Sequence, residues 1–121
     1  MKLKCIDEQF SVCKVRQLRP EDLEGEFVFV GKTDEEVSLV CPTQRVPEET
    51  VAREDGWRAF RIEGQLDFSL VGILAPIATC LAEAKIGIFA VSTYNTDYVL
   101  VKEADFERAM NMLMAAEYDV V

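Results

Sequence analysis

Histidine is absent from all 121 residues. With it go the commonest general base near neutral pH, the usual partner of Ser and Cys nucleophiles, and the commonest transition-metal ligand. The glycine signatures GxGxxG and GxxxxGKS/T and the nucleophile elbow GxSxG are missing too. These absences lead to the expectation of a protein that is not an enzyme and holds no metal or cofactor. A carboxylate such as Glu63 or Asp97 beside Tyr94 or Tyr98 is the acid–base arrangement left, and no spacing favours it.

Basic residues are scarce: 13 Lys and Arg stand against 22 Asp and Glu, for a formal net charge of −9. Such a chain repels phosphate backbones and anionic lipid surfaces, so no nucleic acid and no membrane are expected as partners. Long apolar runs are also lacking. The longest uncharged stretch, 68–82, falls short of the ~20 residues that span a bilayer, and Pro76 interrupts it. The opening MKLKCIDEQF has no signal-peptide core, which makes a cytoplasmic protein the expectation. Cys5, Cys13, Cys41 and Cys80 show no CxxC spacing and read as buried free thiols.

What is present is 50% hydrophobic sequence in clear periods, enough to pack an interior. RAFRIEGQ (58–65) alternates as a strand does. Leu70, Ile73, Leu74, Ile77 and Leu81 then recur at helical spacing, predicting a helix to about Lys85. Pro76 has no N–H and suits a first turn, so regular helix should begin near Gly72–Ala75, with Ser69 and Gly72 at or just before its start. There Ser69 reads either as an N-cap or as a ligand contact, and Gly72 either as a packing allowance or as an opening to exposed N–H groups. IGIFAVST (86–93) and YVLVK (98–102) predict an antiparallel hairpin, a helix follows from about Asp105, and EYDVV (117–121) predicts a last strand. The order is βαββαβ, the ferredoxin-like α+β plan, with antiparallel strands and both helices on one face.

The amino half reads as an abbreviated copy. FVFVGKTDEEVSLVC (27–41) aligns without gaps on IFAVSTYNTDYVLVK (88–102) at an offset of 61, pairing Val30 with Val91 and Leu39 with Leu100; the same offset sets Trp57 on Tyr118. Before it come a strand at Phe10–Arg16 and a short helix opened by Pro20, with Glu21 and Asp22 in its first turn and Gly25 closing it. Val46–Ala52 leaves room for a turn or two of helix. The expected division is an abbreviated lobe over 1–56 and a full lobe over 57–121. The stretch 57–63 is free to close the first sheet, open the second, or serve both.

The string FSLVGILAPIATCLAEAKIGIFAVSTYNTDYVLVKEADFERAMNML (68–113) resembles the ACT-domain family, in its GxLA helix opening, its GIxI strand and its polar link to a third strand. With EEVSLVC and GWR it looks like a tandem-ACT subgroup of bacterial proteins related to a cytosolic arginine sensor. The resemblance implies a non-catalytic regulatory module that binds an amino acid where ACT lobes meet, and a homodimer. Carried onto matching positions, it implies ligand contacts from Ser69, Val71, Gly72, Ile73 and Leu74 on one side and Thr93, Asn95, Thr96 and Asp97 on the other.

The chemistry is consistent with that assignment. Backbone N–H groups around Gly72 suit a carboxylate, while the Asp97 carboxylate or the Thr93, Asn95 and Thr96 oxygens suit an ammonium. Asp97 equally reads as a turn-closing Asx, and Thr93 and Thr96 as ordinary strand-end residues. The alternative function is a ligand-free structural or interaction module acting through sheet-edge pairing.

Overall fold

The structure is a computed structural model that describes residues 1–64 and 71–121. Along the chain run β1 (Lys2–Val15), a 3-10 turn (Pro20–Leu23), β2 (Phe29–Lys32), β3 (Val37–Pro42), a second 3-10 turn (Thr43–Arg45), β4 (Ala52–Ile62), α1 (Leu74–Glu83), β5 (Phe89–Ser92), β6 (Asp97–Lys102), α2 (Glu103–Ala115) and β7 (Asp119–Val120). Among the described residues this is an α+β protein with two α-helices and strands that pair antiparallel in both hairpins. The chain forms two compact units, a helical one from Met1–Asp7 with Arg58–Val121 and a smaller one from Glu8–Trp57. No helix among the described residues is long and apolar enough to cross a membrane.

In the helical unit the strand order is β1–β4–β6–β5. Alternation along β4 sends Phe60 and Ile62 to one face, where they join Leu3, Val99 and Val101. The apolar stripes of the two helices close over that face through Ile77, Leu81, Ala109 and Leu113, all fully buried. Each of the Ile and Leu side chains stabilises by about 1.5–3 kcal/mol on burial. The helix start required by Pro76 falls at Leu74. The expected last strand is cut to two residues, and β7 pairs in parallel with β1 (Lys2↔Asp119), which departs from the expected all-antiparallel plan. The place beside β4 is already filled, since Glu63 N donates to Lys2 O at 2.9 Å.

The smaller unit has the order β2–β3–β1–β4. β1 is longer than the expected Phe10–Arg16, and β4 begins at Ala52, well ahead of the expected Arg58. Both strands therefore contribute a segment to each unit; of the stretch 57–63, Trp57 falls in the smaller unit and 58–63 in the helical one. The expected helix after Pro20 is a single 3-10 turn. Arg19 N donates to Asp22 Oδ2 at 2.9 Å and the Arg19 guanidinium to Asp22 Oδ1 at 3.2 Å, so the Asp22 carboxylate accepts both bonds and closes the turn on itself. No helix occupies Val46–Ala52; the 3-10 turn sits earlier, at Thr43–Arg45, because Ser11 and Thr43 share a hydroxyl bond of 2.9 Å that holds it to β1. The core of this unit is Cys13, Val15, Leu39 and Cys41.

The two hairpins correspond at an offset of 60 and not 61. Phe29↔Val40 is matched by Phe89↔Leu100, and Thr33 N→Glu36 O (2.9 Å) by Thr93 N→Thr96 O (2.8 Å). Burial agrees: β3 and β6 both run two half-buried residues and then three buried ones. A slip of one residue sends every strand side chain to the wrong face, so apolar identities alone could not set this register.

Candidate functional site

The link between β5 and β6 is a Thr turn built from its own side chains. Thr93 Oγ1 donates to Thr96 O at 2.9 Å, and Thr96 Oγ1 donates to Ile62 O at 2.6 Å, with Thr96 buried. Ser92 Oγ donates to Asp97 Oδ1 at 2.6 Å across the directly opposed pair Ser92↔Asp97. The Thr93 hydroxyl proton and one Asp97 oxygen are thus committed to closing the hairpin, and the Thr96 hydroxyl proton to holding it on β4. Asn95 is exposed, and its amide has no partner among the described residues.

The second set of expected residues opens α1. Gly72 has φ +72°, a left-handed conformation that other residues adopt at a cost, and no described atom lies within 4 Å of where its Cβ would stand. The N-cap is Ile73, and no side chain among the described residues caps Leu74 N–H or Ala75 N–H. Val71 is 88% exposed. Ile73 and Leu74 pack against the helical-unit core and anchor this opening. Ser69 lies outside the described residues.

The β5–β6 turn is fastened to the end of β4 through Ile62 O, and the chain leaves β4 at that same end before returning as α1. No hydrogen bond or ion pair among the described residues joins the two sets. Close by, the Arg61 guanidinium donates to Tyr98 Oη at 3.2 Å and to Glu63 at 3.3 Å; the Tyr98 bond comes first in raising its pKa. Arg58 sits 4.3 Å from the Phe106 centroid, its buried Nε without a partner among the described residues. No group of three or more His, Cys, Asp or Glu among the described residues is placed to hold a metal ion.

Sequence reasoning missed the smaller unit's cavity, about 760 Å³ in volume, between the segment after β1 and residues 47–51. None of the eight expected contacts among the described residues lines it. Its signal was the string RPEDL, in which Arg19 and Asp22 form the turn-closing bonds described above. Burial raises the Asp22 pKa, but the bonds from Arg19 more than offset this and hold the carboxyl below its ordinary value.

The β4–α1–β5–β6–α2 run, with its glycine-led helix opening and polar hairpin turn, is that of a small ferredoxin-like α+β domain. The sequence model of the ACT domain matches residues 52–115, just over half of the chain, and the chain belongs to that family. Among curated proteins, the human cytosolic arginine sensor for mTORC1 subunit 1 is 50% identical over 48 residues, 39% of this chain and only 15% of that protein. Among solved structures, Atu0741 from Agrobacterium tumefaciens has a TM-score of 0.89 at 29% identity, covering 99% of this chain and 91% of its own. The aspartate kinase of Clostridium acetobutylicum, an allosteric enzyme, gives 0.65 at 17% identity over 94% of this chain and 33% of its own, a likeness of fold alone.

Proposed function

We propose that the chain is a non-catalytic regulatory module that binds a free amino acid where its ACT lobe meets another. In this reading residues 57–121 form the full lobe and 1–56 an abbreviated one, and the working form is a homodimer in the cytoplasm. The observation that carries the reading is the α1 opening: backbone N–H groups that no side chain among the described residues caps, behind a left-handed Gly72, in a chain of the ACT family. Such an opening complements a carboxylate by its donors and by the positive end of the helix dipole. The ammonium falls to Asn95 and the uncommitted Asp97 oxygen, while Thr93 and Thr96 hold their turn in shape. Ser69, Val71, Ile73 and Leu74 complete the proposed contacts.

Regulation then needs only differential affinity. A ligand that touches two lobes stabilises their joined arrangement by as much as it prefers that arrangement, and no more. Proteins similar to this chain include an arginine sensor, which supports an amino acid as the ligand class. The test is calorimetric titration of each common amino acid into the wild type and Asn95→Ala/Asp97→Ala. Saturable binding that the double variant weakens is expected; binding unchanged by it refutes this site.

One observation favours the ligand-free alternative. β5 (FAVS) ends the strand path and carries no charge, whereas β2 at the other end carries Gly31 and Lys32. An uncharged edge is open to pairing with a second copy of a chain whose net charge otherwise repels itself. A dimer indifferent to every amino acid, and abolished by Ala90→Lys, supports that reading instead.

A further inference from the structure

The smaller unit carries a cleft that the proposed amino-acid site does not use. Its volume, about 760 Å³, falls within the range of small-molecule sites. One wall is the segment Arg16–Arg19 with the turn it enters. The other is the segment 47–51. Both walls are fixed: the Arg19–Asp22 bonds hold the first, and Val51 N→Lys14 O at 2.7 Å holds the second against β1. Asp22 lines the cleft with its side chain only 4% exposed.

The charges of the lining decide what fits. Arg19 and Asp22 neutralise one another in a salt bridge of 3.2 Å. Arg16 has no hydrogen bond or ion pair among the described residues, and neither Glu48 nor Glu49 forms a salt bridge there. Arg19 also meets Glu21 at 3.5 Å and lies in the field of Glu48, so the lining sets the guanidinia of Arg16 and Arg19 against the carboxylates of Asp22, Glu48 and Glu49 and is negative by one charge. Its complement is a ligand of one net positive charge, with one carboxylate and two cations, which is the charge pattern of a basic amino acid. A neutral amino acid leaves one lining carboxylate unmatched, and a dicarboxylic one adds repulsion. Pro47 and Val51 supply an apolar wall suited to an aliphatic stem between two charged ends.

We propose that this cleft is a second ligand site, specific for a free basic amino acid. Arg16 takes the carboxylate as a bidentate fork, and Glu48 and Glu49 take the α-ammonium and the side-chain cation. The site stands on different residues from the one at α1, so either can fail without the other.

Amide chemical-shift mapping of the full chain during titration with L-lysine, L-arginine, L-leucine and L-glutamate tests it. Lysine and arginine should move the amides of 16–22 and 48–51, leucine should do so more weakly, and glutamate should not. Arg16→Gln should weaken lysine binding about tenfold or more, with an unchanged urea midpoint showing that the fold is intact. Glu48→Gln/Glu49→Gln should erase the preference for lysine over leucine, and Asp97→Ala should leave lysine binding in the cleft unaltered. The proposal is overturned if lysine and arginine leave those amides unmoved at tens of millimolar, if Arg16→Gln binds as the wild type does, or if glutamate binds as well as lysine. Shifts confined to Gly72 and Thr93–Asp97 would overturn it too, while supporting the site at α1.

Discussion

Replacing Thr96 with valine probes the joint between the hairpin turn and β4. The side chain is buried, and its Oγ1 lies 2.6 Å from Ile62 O. Valine keeps the volume and the β-branching, so no cavity opens and the change isolates the hydrogen bond. A net hydrogen bond contributes about 0.5–1.5 kcal/mol, and leaving the Ile62 carbonyl without this donor in a buried place adds to that, for a loss of about 1–3 kcal/mol. Against a total stability of about 5–15 kcal/mol, that is readily measured. Urea unfolding should show a lower midpoint with an unchanged m-value, and Tm should fall by several degrees. Thr93→Val is the comparison: Thr93 is exposed and its bond to Thr96 O is local, so its loss should be the smaller of the two. A Thr96→Val variant within about 0.5 kcal/mol of the wild type, the range of ordinary surface changes, would refute the idea that this bond fastens the turn.

Gly72→Ala should cost about 1–2 kcal/mol from its left-handed φ alone, while Gly87→Ala, which has no such φ and nothing described within 4 Å, should be neutral or slightly stabilising by the same unfolding assay. Asp22→Asn should lose about 1–2 kcal/mol at neutral pH by removing charge-assisted bonds to Arg19. The wild-type carboxyl is depressed in the folded state, so its contribution is present above the ordinary carboxylate pKa and fades as pH falls through the folded value. Unfolding followed across acid pH should therefore show the two proteins converging. Burial pushes the Cys41 thiol up to about 11 from an ordinary 9.0, so the folded state favours the neutral thiol. Stability should be intact below about pH 9 and fall as pH rises toward 11; Cys41→Ala should flatten that loss, and at pH 8 Cys41 should resist a thiol reagent until the protein unfolds.

The helical unit was legible because its periods are long and clean. Ile77, Leu81, Ala109 and Leu113 keep helical spacing, and Pro76 placed the start of α1 to within a residue or two. The smaller unit was harder, because its connections are single 3-10 turns held by side-chain bonds that no periodicity reveals, such as Arg19 to Asp22 and Ser11 to Thr43. The hairpin register slipped by one because Val30, Leu39 and Val40 find identical residues at 61, whereas the shared backbone turn from Thr33 and Thr93 sets 60. β7 went astray for a nonlocal reason: β1 already occupies the place beside β4. The polar residues of the β5–β6 link were picked out correctly as a turn. How much of their hydrogen-bonding capacity that turn consumes could be read only from the Thr93, Thr96 and Asp97 bonds.

The central claim is that this ACT chain binds a free amino acid, and calorimetric titration of the full chain with each common amino acid tests it most directly. The account predicts that at least one binds saturably in the millimolar range or tighter, and that Gly72→Ala together with Asp97→Ala weakens it. Heats of dilution alone for every one of them, with no change in Tm at millimolar concentration, would contradict the account.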